Sequence, residues 1–520
     1  MHSLTEFITT VLVTYFVFRF CLRLIFGKGK ESSGSTFRFV RSLVVGLKWL
    51  GRSTWWILTT MKKGSGGFVQ WILSSKSRQD PHGSANWLHG RALKKLLRKK
   101  HTGVLLDGKK ACLSEKTSFN HILLCGPSGS GKSSGVFIPT VVKLSRHNHS
   151  MVITDVKGEI KRITARYLKR RGVKLTALDL IDPKQSATFN PLSRCEDFSD
   201  IKDLARIIIE ATYPSTTDNT YWIKAAENLI SVIMFAVKLS PNMADRNLSK
   251  VAEWIDRLGG ATQGEVLVHC SDVLPERQFQ TLEGFLGLHQ ETQSGILSNA
   301  RVALAPCTDP VFESVTSGPD SLDMTALRKH KRGSVLFLNV APKHVAKFGF
   351  LLTILYRQLL DEVLEDQTKS DRSIFFLLDE FANTPPIPDF HQTISIARSY
   401  RISLLVSVQS LGQLEIYGKT NAATIIENCA TKMFLSGVDI DTAERVSRMI
   451  GQTTISITEA GFSADSQREQ SRARLLMSPD EVRRLKDHEA LVLYRNLNPV
   501  RLVMKPWFRN WRLKRLLRGR

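Results

Sequence analysis

The stretch FNHILLCGPSGSGKSSGVFIPTVVKL, Phe119–Leu144, decides the fold. Within it GPSGSGKS, Gly126–Ser133, fills every fixed position of the phosphate-binding loop pattern. Its glycines let backbone N–H groups close around phosphates, Lys132 reaches the β- and γ-phosphates, and the Ser133 hydroxyl can ligate Mg2+. A Gly/Ser-rich turn could mimic the loop alone, so the flanks matter. His121–Cys125 reads as a short buried strand and Ser134–Leu144 as the start of a helix, the context the motif requires. Gly126, Pro127, Ser128, Gly129, Ser130, Gly131, Lys132, Ser133 and Ser134 are therefore the candidate cradle for a nucleoside triphosphate.

A second apolar run, Ile374–Leu378, ends in Asp379 and Glu380. An acidic pair after a strand is on its own more often a helix N-cap. Downstream of a complete phosphate loop it matches the arrangement of P-loop ATPases. Asp379 would then meet the Mg2+ shell or Ser133, and Glu380 would orient the attacking water.

Further strand-like runs occur at Met151–Thr154, Lys174–Leu178, Ser334–Val340, Ser403–Val408 and Thr431–Leu435. Runs apolar on both faces and separated by helical patterns predict a parallel sheet covered on both sides, an α/β fold. From about Ser199 to Ala305 the alternation stops, and Ile201–Ala211, Thr220–Leu239, Leu248–Leu258, Arg277–Leu286 and Thr292–Leu304 read as helices. The expected organisation is a nucleotide-binding domain in two parts, residues 82–198 and 321–520, with an all-α domain at 199–320 inserted between them.

Three other positions carry possible chemistry. Asp155, after the strand Met151–Thr154, fits either the nucleotide edge of the sheet or a helix N-cap. Arg398 lies on the helical pattern Phe390–Tyr400, and Gln409 ends the strand Ser403–Val408. An arginine can offset transition-state charge and a glutamine can sense a γ-phosphate, but surface Arg and Gln are common and spacing alone does not choose.

The formal net charge is +25, and it is concentrated at the ends. Residues 1–110 hold 20 Lys/Arg against 4 Asp/Glu, and residues 505–520 add 7 basic residues and no acid. Anionic lipid and nucleic acid are both plausible partners for such ends. The basic run Lys94–Lys100 reads as a solvated helix face that could also touch phosphates. Seven cysteines without a CxxC pair, and no His cluster, favour a reduced body without structural zinc.

Residues 1–63 read as a membrane-associated segment with weak spans at 7–26 and 43–61, followed by a Gly/Ser-rich linker at 64–81. Lys48 and Arg52 interrupt the second span, and Trp49, Trp55 and Trp56 suit an interfacial position equally well. The basic residues after Phe18 favour one span with the bulk of the chain inside. An amphipathic helix on the membrane surface, or a core helix, is the other reading.

Together these pieces resemble the coupling proteins of type IV secretion and conjugation systems, the TraG/TraD-like ATPases. The resemblance rests on HGSANWL at His82–Leu88, GPSGSGKSS at Gly126–Ser134, TDVKGE at Thr154–Glu159 and FNPL at Phe189–Leu192. It continues in QSGILSNARVAL at Gln293–Leu304, LLDEFANTP at Leu377–Pro385, IARSYRISLLVSVQSLGQL at Ile396–Leu414, and ENCATKMFLSG with TAERVS at Glu427–Ser447. Their order extends it over about residues 82–505.

The resemblance implies a RecA-like domain with an inserted all-α domain, ATP and Mg2+ as cofactors, and a homo-hexamer with ATP at subunit interfaces. By matching positions it implies Lys132 and Ser133 as nucleotide and Mg2+ ligands, Asp379 as a metal-shell acid, Glu380 as the water-orienting acid, Arg398 as a trans-acting finger and Gln409 as a γ-phosphate sensor. Implied partners are single-stranded DNA carried by a relaxase or relaxosome, the secretion channel, and the bacterial inner membrane, with most of the chain cytoplasmic. The implied function is ATP-driven delivery of DNA to that channel during conjugation; the alternative is a nucleotide-switched receptor for protein effectors. Two features depart from the family. The short basic Gly27–Ser42 connection stands where relatives have a periplasmic loop, and KPWFRNWRLKRLLRGR stands where several relatives carry an acidic extension.

Overall fold

The computed structural model describes residues 83–213, 220–340, 342–365, 372–384, 386–460 and 467–518. The expected membrane-associated segment 1–63 and linker 64–81 lie outside the described residues. No helix among the described residues is long and apolar enough to cross a membrane.

Apolar runs become strands wherever the sequence places them between helical patterns. They are β1 (Ile122–Cys125), β2 (Ser150–Thr154), β3 (Lys174–Asp179), β4 (Ser334–Asn339), β5 (Ile374–Leu378), β6 (Ile402–Val408) and β7 (Thr431–Leu435). These seven pair in parallel in the order β7-β1-β6-β5-β2-β4-β3. Two strands not evident in the sequence, β10 (Glu489–Tyr494) and β11 (Val500–Val503), extend the β7 edge as an antiparallel hairpin. A separate hairpin joins β8 (Gln452–Ala460) to β9 (Gln467–Leu475).

The sheet divides two cores, because successive side chains of a strand point to opposite faces. On one face lie Leu123, Val152, Leu336, Phe376 and Val406, continuous with the buried residues of the helices between β3 and β4 and of the helix Pro342–Glu365. On the other lie Ile122, Leu124, Met151, Phe337 and Phe375, covered by the helices Ile138–Ser145, Glu159–Arg170 and Trp511–Arg518. Burial on both faces is the physical reason these strands read as unbroken apolar runs.

Between β3 and β4 the described residues form helices and no strand, among them Phe198–Thr212, Thr220–Leu239, Leu248–Leu258, Glu276–Leu286 and Gln290–Leu304. A further helix, Gln263–Val273, buries only Val266 and Cys270, too few to give a readable helical period. All six described cysteines are buried free thiols, and no His/Cys/Asp/Glu cluster among the described residues could hold a metal.

Candidate nucleotide site

The phosphate loop leaves the carboxyl end of β1, and the acidic pair leaves that of β5. Only β6 separates them: Cys125 is level with Val408, and Leu378 with Val406. The loop therefore faces the acids across one strand, although Ser133 and Asp379 are 246 positions apart in the sequence.

Its shape depends on glycine at several places. Gly131 has φ 92°, where a Cβ is strained. A Cβ on Gly126 would come within 2.8 Å of the Leu435 side chain on neighbouring β7. After the loop, Lys132–Phe137 forms a wide π-type turn before the α-helix Ile138–Ser145. There the Ile138 N–H donates to the Ser133 carbonyl five residues back, the bond of a π-type turn.

Lys132 is buried, and its ammonium donates to the carbonyls of Gly126 at 2.6 Å and Pro127 at 3.1 Å. Burial lowers its pKa, opposed by the charges of Asp379 and Glu380. The Ser133 hydroxyl donates to Asp379 Oδ2 at 2.9 Å. Asp379 Oδ1 accepts from the Ser407 hydroxyl at 3.4 Å and the Glu380 backbone N–H at 3.1 Å. Burial raises the Asp379 pKa, while the Ser133 bond and Lys132 pull it down. One hydroxyl and one carboxylate at this separation are hard oxygen donors that can share a Mg2+ whose other ligands are phosphate and water.

Glu380 sits at φ 53°, a left-handed conformation costly for a non-glycine residue. Its carboxylate faces Lys157 Nζ at 3.4 Å and accepts from Asn383 Nδ2 at 2.8 Å. It caps a short 3-10 turn, Phe381–Asn383, but its side chain accepts no capping bond. Asp155, at the end of β2, is buried and accepts the Lys161 backbone N–H at 2.7 Å, the cap-type role its position allowed. Burial pushes its pKa up to about 6, and the nearby Asp379 charge adds to the rise.

Gln409 follows β6, between loop and acids. Its backbone N–H donates to Gln413 Oε1 at 2.8 Å, and its carbonyl receives the Cys125 thiol at 3.7 Å. Arg398 is not brought to this site. It lies exposed on the 3-10 turn Ala397–Tyr400, before β6, at the amino edge of the sheet. There it lines a cleft of about 1180 Å3 with His121, Lys419, Glu427 and Arg445. A seven-residue strand, roughly 20 Å long, stands between it and the loop.

Sequence reasoning missed Ser407, Lys157 and Asn383 as neighbours of the acidic pair. Lys157 was visible only as part of TDVKGE; Ser407 is one serine within a buried strand, with no local signal.

A family model described as type IV secretory system conjugative DNA transfer matches residues 79–518. The chain belongs to this family. It is similar to Protein VirD4 of Rhizobium radiobacter, 23% identical over 86% of this chain and 66% of the relative. It is also similar to the conjugal transfer protein TraG of Escherichia coli, 24% identical over 70% of this chain and 62% of the relative. The chain thus spans slightly less than two thirds of the length of these relatives. Among solved structures, the bacterial conjugative coupling protein TrwBdeltaN70 shares the fold, with a TM-score of 0.65 and 18% identity over 80% of this chain and 92% of that one. TrwB in complex with ADP and Mg2+ gives a TM-score of 0.64 at 17% identity, over 81% of this chain and 94% of that one. The mixed α/β architecture expected from the sequence is thus the RecA-like fold of a type IV coupling protein.

Proposed function

We propose that this coupling protein is a Mg2+-dependent ATPase of the bacterial inner membrane that takes relaxase-bound single-stranded DNA to a type IV secretion channel and drives it through. The observation that carries the reading is the 2.9 Å bond from Ser133 to Asp379, which unites phosphate loop and acidic pair in one site. The complexes of TrwB with ADP and Mg2+ and with an ATP analogue support nucleotide as the ligand of this fold.

In this reading the loop N–H groups and the Lys132 ammonium hold the triphosphate, the ammonium exchanging its bonds to Gly126 and Pro127 for phosphate oxygens. Ser133 and Asp379 would hold Mg2+, which when bound neutralises charge on the β- and γ-phosphates. Glu380, released from Lys157, orients the attacking water, and Gln409 reads the γ-phosphate from the tip of β6. Arg398 lies too far from its own chain's loop, so its part in hydrolysis requires the loop of an adjacent copy, as in a hexameric ring. The all-α segment 199–320 would stand as a separate functional unit within the assembled body.

Steady-state ATP turnover by the full-length chain, measured with and without single-stranded DNA across protein concentration, tests this. DNA stimulation, steep concentration dependence and loss in Lys132→Ala are expected. DNA-independent, concentration-independent turnover would overturn it and favour a nucleotide-switched receptor for protein effectors.

A further inference from the structure

The end of the chain builds a second cleft, apart from the nucleotide site. The helix Trp511–Arg518, WRLKRLLR, buries Leu513 and Leu517, which lie one turn apart. The Arg170 guanidinium, from the helix Glu159–Arg170, ties it down by donating to the Leu516 carbonyl at 2.8 Å. With the apolar face fixed, Arg512, Lys514, Arg515 and Arg518 face solvent, and Trp511 stays 64% exposed.

A cleft of about 430 Å3 opens beside this helix. Lys99, Lys109, Lys143, Arg146, Lys505 and Arg512 line it, with no Asp or Glu among the lining residues. None of the six pairs with a carboxylate among the described residues. The neighbouring acid, Asp107, is buried, and its Oδ1 accepts the backbone N–H groups of Lys109, Lys110 and Ala111. Six cations set against a single buried acid leave a net positive field that favours an anionic partner.

The rest of the lining says which anion. Leu105, Val142 and Leu513 are buried beneath the cations and Leu516 is partly buried, while Trp511 stands exposed at the mouth with Phe508, 45% exposed, on the adjoining turn. A nucleic-acid backbone would use the cations and leave Phe508 and the edge of Leu516 without an apolar partner. An anionic bilayer uses both: phosphate against the Lys/Arg rim, and Trp511, Phe508 and the edge of Leu516 at headgroup level.

We propose that this cleft and the Trp511–Arg518 helix form a docking surface for an anionic phospholipid bilayer, distinct from any anchoring by residues 1–63. Bound there, the helix lies in the plane of the interface, with Trp511 and Phe508 among the headgroups.

Hydrogen exchange on the full-length chain tests this in bilayer discs of phosphatidylcholine alone and of phosphatidylcholine mixed with phosphatidylglycerol. Peptides covering 505–518 and 99–110 should exchange roughly tenfold more slowly in anionic discs than in neutral ones, an effect that high salt removes. The paired reversal Lys109→Glu with Arg512→Glu, both at exposed positions, should abolish the difference, and Trp511→Ala should reduce it. Equal exchange in the two discs would overturn the proposal. So would protection of these peptides by a single-stranded oligonucleotide but not by anionic lipid, which would reassign the cleft to nucleic acid. If the reversal leaves the anionic protection intact, the surface lies elsewhere and the proposal fails.

Discussion

Ser133 and Asp379 meet at 2.9 Å across the carboxyl edge of the sheet, joining the loop after β1 to the acid after β5. The contact exists because β6 alone separates the two strands, and because Ser407, projecting from β6, supports the other carboxylate oxygen at 3.4 Å. Sheet order, and not nearness in sequence, makes the site.

Asp379→Asn keeps the size of the side chain and removes its charge. Mg2+-dependent nucleotide affinity should fall about 10- to 100-fold, while affinity measured with a chelator present should change little. Titration calorimetry under both conditions checks this, and Ser133→Ala should follow the same pattern.

Glu380 is held by Lys157 and Asn383. Glu380→Gln should therefore leave nucleotide affinity within about twofold and slow hydrolysis by roughly 100-fold or more. Single-turnover kinetics separates the two quantities. Equal losses in binding and turnover would place the residue in ligand binding instead.

Asp155 gives a pH signature. Its pKa is raised from 3.8 to about 6, first by burial and then by the Asp379 charge, so the folded chain holds this proton more tightly than the unfolded one. The associated stability is present at low pH and is lost as pH rises through about 6. Asp155→Asn retains an acceptor for the Lys161 N–H and has nothing to ionise. Relative to the parent it should gain up to about 3 kcal/mol between about pH 4 and pH 7. Chemical denaturation across that window checks the sign.

Arg398 stands at the opposite edge of the sheet from its own phosphate loop. Lys132→Ala and Arg398→Ala chains should each be inactive alone, yet mixed one to one they should recover about a quarter of parental turnover, because random assembly leaves that share of sites with an intact loop facing an intact arginine. No recovery on mixing, with assembly verified by light scattering, would remove Arg398 from the neighbour's site.

The parallel sheet was legible because β1, β2, β5 and β6 are buried on both faces and therefore read as plain apolar runs. The phosphate loop was legible because its backbone geometry demands fixed residue types. The β8–β9 hairpin was not: QTTISITEA and QREQSRARL are mostly polar, and Ile455 and Ile457 alone are too short an alternation to mark a strand. Nor was the β10–β11 edge, whose short runs EALVLY and VRLV are separated by a polar turn and pair antiparallel against a parallel sheet. At the site, the meeting of Ser133 with Asp379 could be expected from motif logic. The Lys157 to Glu380 ion pair and the Ser407 bond depend on strand order, which local patterns do not contain.

If ATP hydrolysis at this site moves a DNA strand, as proposed, it should displace streptavidin from a biotinylated single-stranded oligonucleotide. Displacement is expected from the full-length chain with ATP and Mg2+, none with a non-hydrolysable analogue, and none from Lys132→Ala. Sustained ATP turnover with the oligonucleotide bound and the streptavidin left in place would contradict it.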